Sequence, residues 1–188
     1  MKNLNSFVNN YNRELIHLIK NINKKNLDKI IGIIKETYQF NRTLFVCGNG
    51  GSASIANHWQ CDHQEGIKKN SSLKPRVTSL STNLEIITAT SNDFSFKDIF
   101  KNNLENLYNK NDVLVCMSVS GNSKNIIEVM KFAKKNSLKT ILLSGFKGGK
   151  AKKLANYNIN FNSKNYGIVE DCFQITMHII AQHFYTKN

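Results

Sequence analysis

Three short stretches of this chain concentrate side chains that could do chemistry. The first, Phe45-Val46-Cys47-Gly48-Asn49-Gly50-Gly51-Ser52, runs an apolar segment into glycines, an Asn and a Ser. Glycines let main-chain N–H groups approach an anion closely, and a helix starting at Ser52 adds the partial positive charge of its N-terminus. The Gly-Lys-Ser ending of a nucleoside-triphosphate loop is missing. His58 and Asp62 follow at an i,i+4 spacing, which puts both on one helix face. Such a pair can serve as metal ligand and general base. Taken alone, it reads first as a surface pair worth a few tenths of a kcal/mol. His63 and Glu65 fall on other faces and are expected to be solvated.

The second stretch, Ser118-Val119-Ser120-Gly121-Asn122-Ser123, places hydroxyls around a glycine at the mouth of a helix. Hydroxyls plus N-terminal amides are what a phosphate monoester needs. Serine also favours that position simply as a cap. The third stretch holds Glu170, Asp171, Gln174 and His178. His178 lies between Met177 and Ile179, an apolar stretch where a lone His is more often a satisfied core histidine than a ligand. Glu170 and His178 are two turns apart, about 12 Å along a helix axis, with Gln174 one turn from each.

The elements that must position these groups follow from apolar periodicity. Phe7, Tyr11, Leu15, Leu18 and Ile22 form one helical stripe, and Leu27, Ile30, Ile31, Ile34 and Tyr38 another. Asn23 to Asn26 separates them. This hairpin must bury its stripes on the chain's own sheet or on a partner subunit. Strands are expected at Leu44–Cys47, Val77–Leu80, Asp112–Met117, Thr140–Leu143 and Tyr157–Phe161. Helices are expected from Ser52 to Gln64 with Gly66 as a stop, from an Asn83 cap to an interruption at Ser91-Asn92-Asp93, over Lys97–Tyr108, after Ser123, and over Ile168–Tyr185. The alternation predicts an α/β fold with about five parallel strands and helices on both faces. Ligands in such folds sit beyond the C-terminal strand edge, where both Ser/Gly-rich loops lie.

Length and composition exclude several classes. The 188 residues suit one domain. No apolar run approaches the roughly 20 residues of a membrane span, and the start of the chain lacks the apolar core of a signal peptide. A cytoplasmic protein with no membrane partner is expected. Cys47, Cys61, Cys116 and Cys172 have no close-spaced pairs and read as reduced, buried thiols. The net charge of +13 comes almost wholly from Lys, with Arg only at positions 13, 42 and 76. Sequence-specific DNA readers rely on Arg, so a solvated Lys surface is favoured over a nucleic-acid site. A phosphorylated substrate gains from the positive field.

Four motifs in order carry a resemblance: Gly48-Asn49-Gly50-Gly51-Ser52 followed by His58, Ser91-Asn92-Asp93-Phe94, Ser118-Val119-Ser120-Gly121-Asn122-Ser123, and a last helix bearing His178. Together they resemble the phosphoheptose isomerases of the sugar-isomerase (SIS) domain family over nearly the whole chain. The resemblance implies a three-layer sandwich with a flavodoxin-like five-stranded parallel sheet. It implies a single SIS domain over 1–188, with 1–40 a helical hairpin used in oligomerisation. Members are cytoplasmic homotetramers that convert sedoheptulose 7-phosphate into D-glycero-D-manno-heptose 7-phosphate, for lipopolysaccharide, capsule or surface-layer glycans.

By the same resemblance, Ser52, Ser118, Ser120 and Ser123 bind phosphate. Asn49, Gly50, Gly51, Asn92 and Asp93 contact the sugar, with Val119 through its backbone. One zinc ion per subunit is held by His58, Asp62, Glu170 and His178, and Asp62 and His178 move protons; Glu170 also faces the substrate. No nucleotide cofactor is implied. Two positions depart from the pattern: Asp62 stands for a Glu and Glu170 for a Gln. The Asp carboxylate retreats by roughly 1.5 Å, while Glu170 adds a charge that a divalent cation favours. Two other SIS functions compete, a non-catalytic regulator that binds the replication initiator and an isomerase of another sugar phosphate.

Overall fold

Along Thr43–Cys47 (β1) successive side chains leave the backbone on opposite faces, and this alternation splits the core in two. Leu44 and Val46 join one buried cluster with Ile30, Ile34, Trp59 and Phe173. Phe45 and Cys47 join the other with Phe100, Leu104, Ile126 and Met130. Strands apolar on both faces belong in a sheet covered by helices on both sides. The computed structural model, which describes residues 3–185, has that three-layer architecture. Arg76–Ser79 (β2), Val113–Ser118 (β3), Lys139–Ser144 (β4) and Tyr157–Asn160 (β5) complete a five-stranded sheet in the order β2-β1-β3-β4-β5, parallel at every pairing. Asp112, expected to open the third strand, is instead a buried carboxylate just before it. It accepts from the Thr43 and Asn109 amides at 2.8 and 2.7 Å.

The N-terminal hairpin is present as Leu4–Lys20 (α1) and Lys24–Gln39 (α2), each opening on an Asn whose side chain accepts from a first-turn amide. The stripe of α2 is buried against the sheet through Ile30, Ile31, Ile33, Ile34 and Tyr38. Helix α1 has no buried residue; Tyr11, Leu15, Leu18 and Ile19 lie half-buried against the same cluster, and Leu4, Phe7, Val8 and Ile16 face outward.

After β1 the chain enters Gly51–Cys61 (α3), and the helix does not stop at Gly66. It widens into a π-helical turn over Asp62–Ile67 and returns to α geometry at Lys68–Asn70 (α4). A Cβ at Gly66 would come within 2.6 Å of the Tyr185 hydroxyl, the far end of a side chain that would have to shift. Leu84–Asp93 (α5) runs through Ser91-Asn92-Asp93 without the expected interruption. Ile99–Leu107 (α6), Lys124–Lys135 (α7) and Tyr166–His183 (α8) complete the chain. Helix α8 packs beside α3 on the face of the first cluster, and α6 and α7 cover the second.

Candidate active site

Because β1 and β3 are neighbours, with Cys47 in register with Cys116, the loops that follow them leave adjacent points of one sheet edge. A reciprocal amide pair joins the loops. Asn49 donates to the Asn125 side-chain oxygen at 2.9 Å, and Asn125 donates back at 2.8 Å. Asn125 is buried and also accepts from the Ile126 amide. No sequence motif marks Asn125, although it lies just past the serine loop.

Helices α1, α2, α5 and α8 all open on an Asn that caps a first-turn amide. Helices α3 and α7, entered through Gly50 and Ser123, have no side-chain cap. Ala53 and Ile126 pair with Gly50 and Asn125, which leaves the N–H groups of Gly51 and Ser52 and of Lys124 and Asn125 for other acceptors. Ser123 turns its hydroxyl toward that of Ser118, 3.4 Å away. The Ser118 and Ser120 hydroxyls accept from the amides of Gly121 and Asn122, each at 3.2 Å.

Between these helix starts lies a cavity of about 350 Å³. It is lined by Asn49, Gly50, Gly51, Ser52, Ser118, Val119, Ser120, Ser123 and Glu170, all expected substrate contacts, together with Met117 and Tyr166. Tyr166 is the first residue of α8 and packs edge-on against Phe146, with ring centroids 5.7 Å apart. The other two expected sugar contacts lie outside this cavity: Asn92 and Asp93 end α5, exposed, with the Asn92 amide donating to Asp93 at 2.8 Å.

Helices α3 and α8 run in the same direction, and three rungs connect them outward from the cavity. The Ser52 hydroxyl donates to Glu170 Oε1 at 3.1 Å. The Gln174 amide lies 2.9 Å from both His58 Nδ1 and His178 Nε2. Asp62 sits 3.0 Å from His58 Nε2 through one oxygen and 3.3 Å from His178 Nε2 through the other. The His58 and His178 rings meet edge to face at 5.2 Å. His178 is therefore half-exposed in a groove and not a core histidine.

One expected ligand is not in this group. The Glu170 carboxylate lies over the backbone of Gly51, where a Cβ would come within 2.3 Å of Oε2. Gln174 takes the fourth place beside His58, Asp62 and His178. Its spacing, four residues before His178, was a usable signal, because i and i+4 share a helix face.

Two imidazoles and a carboxylate whose ligand atoms all lie within 4.8 Å of one another fit a divalent cation. The hydrogen-bonding pattern points the same way. If the Gln174 amide donates to both rings, His178 Nε2 has no proton to give Asp62 and two lone pairs face each other. If the Gln174 oxygen accepts from both, His58 must be doubly protonated to reach Asp62 as well. In either arrangement of neutral rings an imidazole lone pair faces an Asp62 oxygen, and a cation between them relieves that contact.

A SIS domain family model matches residues 7–145. The chain belongs to the SIS domain family. It is 34% identical over 166 residues to the phosphoheptose isomerase of Helicobacter pylori strain P12, covering 86% of each chain. It is 37% identical over 160 residues to a probable phosphoheptose isomerase of Thermoplasma acidophilum, covering 83% of this chain and 87% of that one. The structure of the phosphoheptose isomerase of Neisseria gonorrhoeae superposes with a TM-score of 0.88 at 25% identity, over 97% of this chain and 98% of that one.

In this SIS domain the π-helical turn sends neighbouring residues to opposite environments. Asp62 faces the groove. His63, expected to be solvated, is buried on the face that carries Trp59 and Ile67. It lies against Trp59 at 5.4 Å between ring centroids, and its Nδ1 is 2.5 Å from the Tyr38 hydroxyl. Burial pushes the His63 pKa down to about 3 and the Tyr38 phenol well up, so Tyr38 donates to a neutral imidazole. Glu65 is exposed as expected. The cysteines also divide: Cys47, Cys116 and Cys172 are buried free thiols, whereas Cys61 is exposed.

Proposed function

We propose that this chain interconverts sedoheptulose 7-phosphate and D-glycero-D-manno-heptose 7-phosphate, a ketose–aldose isomerisation. One observation carries the reading. An amide- and hydroxyl-lined cavity and a two-histidine, one-carboxylate group occupy the same α3–α8 groove, linked by the Ser52–Glu170 rung. The printed names of the relatives support the choice of a seven-carbon substrate. The phosphate docks among Ser118, Ser120 and Ser123, while the Ser52 hydroxyl is donated to Glu170. The backbone of Asn49 to Gly51 lies along the sugar, because the Asn49 side chain is engaged by Asn125.

His58, Asp62, Gln174 and His178 hold a divalent cation, zinc by the donor set, one per subunit. When bound, such an ion polarises hydroxyl and carbonyl oxygens and stabilises the negative charge of an enediolate. His178 is held in this group through Nε2, 2.9 Å from Gln174 and 3.3 Å from Asp62. No nucleotide takes part. A binding module such as an initiator-binding regulator has no need of this group of side chains.

The outward apolar residues of α1, Leu4, Phe7, Val8 and Ile16, support assembly through the N-terminal hairpin, as a tetramer by the family resemblance. Among the described residues no helix is long and apolar enough to cross a membrane. Acting in the cytoplasm, the chain supplies heptose phosphate for surface glycans.

The test is a panel of ketose phosphates, seven-carbon, hexose and amino-sugar, incubated with protein before and after chelation. The expected result is aldose formation from sedoheptulose 7-phosphate, abolished by chelator and restored by zinc. Turnover of another sugar phosphate alone reassigns the substrate, and no turnover of any sinks the reading.

A further inference from the structure

Resting on that reading, we propose that Glu170, and not Asp62, is the carboxylate that takes the proton from the substrate carbon. Isomerisation through an enediol needs one carboxylate free to reach a C–H bond. Asp62 is poorly placed for this. One of its oxygens faces His58 at 3.0 Å and the other faces His178 at 3.3 Å. It is committed to the group that fits a cation, and it does not line the cavity.

Glu170 is the one carboxylate among the residues that line the cavity. Ser52 holds Oε1 at 3.1 Å, while Oε2 accepts no hydrogen bond among the described residues. One hydroxyl orients the group and leaves its second oxygen available. Gly51 makes room for it, since any Cβ there would press on Oε2. Along α8, Glu170 lies one turn past Tyr166, which lines the cavity together with the serine loop, and one and two turns before Gln174 and His178. A sugar with its phosphate at the serines and its carbonyl end toward the histidines passes this carboxylate. The two departures from the family pattern then have a single explanation. The metal group here uses the shorter Asp62 with Gln174, which releases position 170 from ligation for proton transfer.

The step balances as follows. Glu170 takes a proton from C1 of the open-chain ketose. The C1–H electron pair becomes the C1=C2 bond, and the carbonyl pair moves onto O2. The proton on O1 passes to O2, the pair left on O1 re-forms a carbonyl at C1, and Glu170 returns its proton to C2. The carboxylate is regenerated.

The experiment is turnover of sedoheptulose 7-phosphate by the zinc-loaded protein in D2O, reading aldose formation, deuterium at C1 and C2, and bound metal per chain. Glu170→Gln is expected to lower kcat and deuterium exchange together by about 10²–10⁴-fold, with metal content and KM within a few-fold of wild type. Asp62→Asn is expected to lose bound metal. Exchange that survives Glu170→Gln, or is lost in Asp62→Asn with metal retained, overturns the assignment alone. Wild-type protein that neither turns over nor exchanges overturns the functional reading and this assignment with it.

Discussion

Tyr38 donates its hydroxyl hydrogen to His63 Nδ1 at 2.5 Å, in the core directly behind the helix that presents His58 and Asp62 to the groove. The pair anchors α2 to the π-helical turn. Removing one partner leaves a buried polar atom unpaired, at a cost of about 1–3 kcal/mol. Tyr38→Phe is therefore expected to lower unfolding free energy by that amount in urea. The double change Tyr38→Phe with His63→Leu is expected to recover part of the loss, because both polar ends are then gone. Equal or greater loss in the double variant contradicts a simple pairing role.

Gly121 has φ +65, and a Cβ on it would come within 2.0 Å of the Gly148 carbonyl oxygen. That backbone contact fixes the serine loop against the loop after β4, where the Ala151 amide donates to the Gly121 carbonyl at 2.9 Å. Gly121→Ala should cost about 1–3 kcal/mol through strain and raise KM for a phosphorylated substrate more than it lowers kcat. Gly32→Ala is the control. It lies within α2 with nothing within 4 Å of its Cβ position, and it should stabilise by roughly 0.5–1 kcal/mol. Steady-state kinetics with thermal unfolding separates the two effects.

Helix α1 meets α8 through the Tyr11 hydroxyl, which donates to Asp171 at 2.5 Å. That hydrogen bond, followed by burial, raises the Tyr11 pKa to about 12. A phenol whose folded pKa exceeds its unfolded value of 10 contributes fully below pH 10, and the contribution is lost as pH rises toward 12. The expected result is a fall in denaturation midpoint between pH 10 and 12 that is smaller in Tyr11→Phe. Matching curves for the two proteins would remove this contact from the docking of α1.

The layout of the site was legible where the signal is local. Apolar alternation located the strands, glycine and serine clusters located the loops at their ends, and the i,i+4 spacing put His58 and Asp62 on one face. Residues whose role depends on a distant neighbour were not legible. His63 follows Asp62 directly, yet a π-helical turn and the Tyr38 hydroxyl on another helix make it a core residue. Asn125 gains its role only because β1 and β3 are adjacent, which brings Asn49 within hydrogen-bonding reach.

The glycine loop and its helix show the division most clearly. The sequence by itself determined that Gly48–Ser52 ends a strand and starts a helix bearing an imidazole and a carboxylate, because backbone freedom and helical periodicity are local properties. Only the tertiary structure decided which groups of α8 meet that helix. Parallel packing of α3 and α8 sets Ser52 beside Glu170, His58 beside Gln174, and Asp62 beside His178. That register arises from burying Trp59, Phe173 and Met177 in one shared core, a non-local constraint that no spacing within either helix contains.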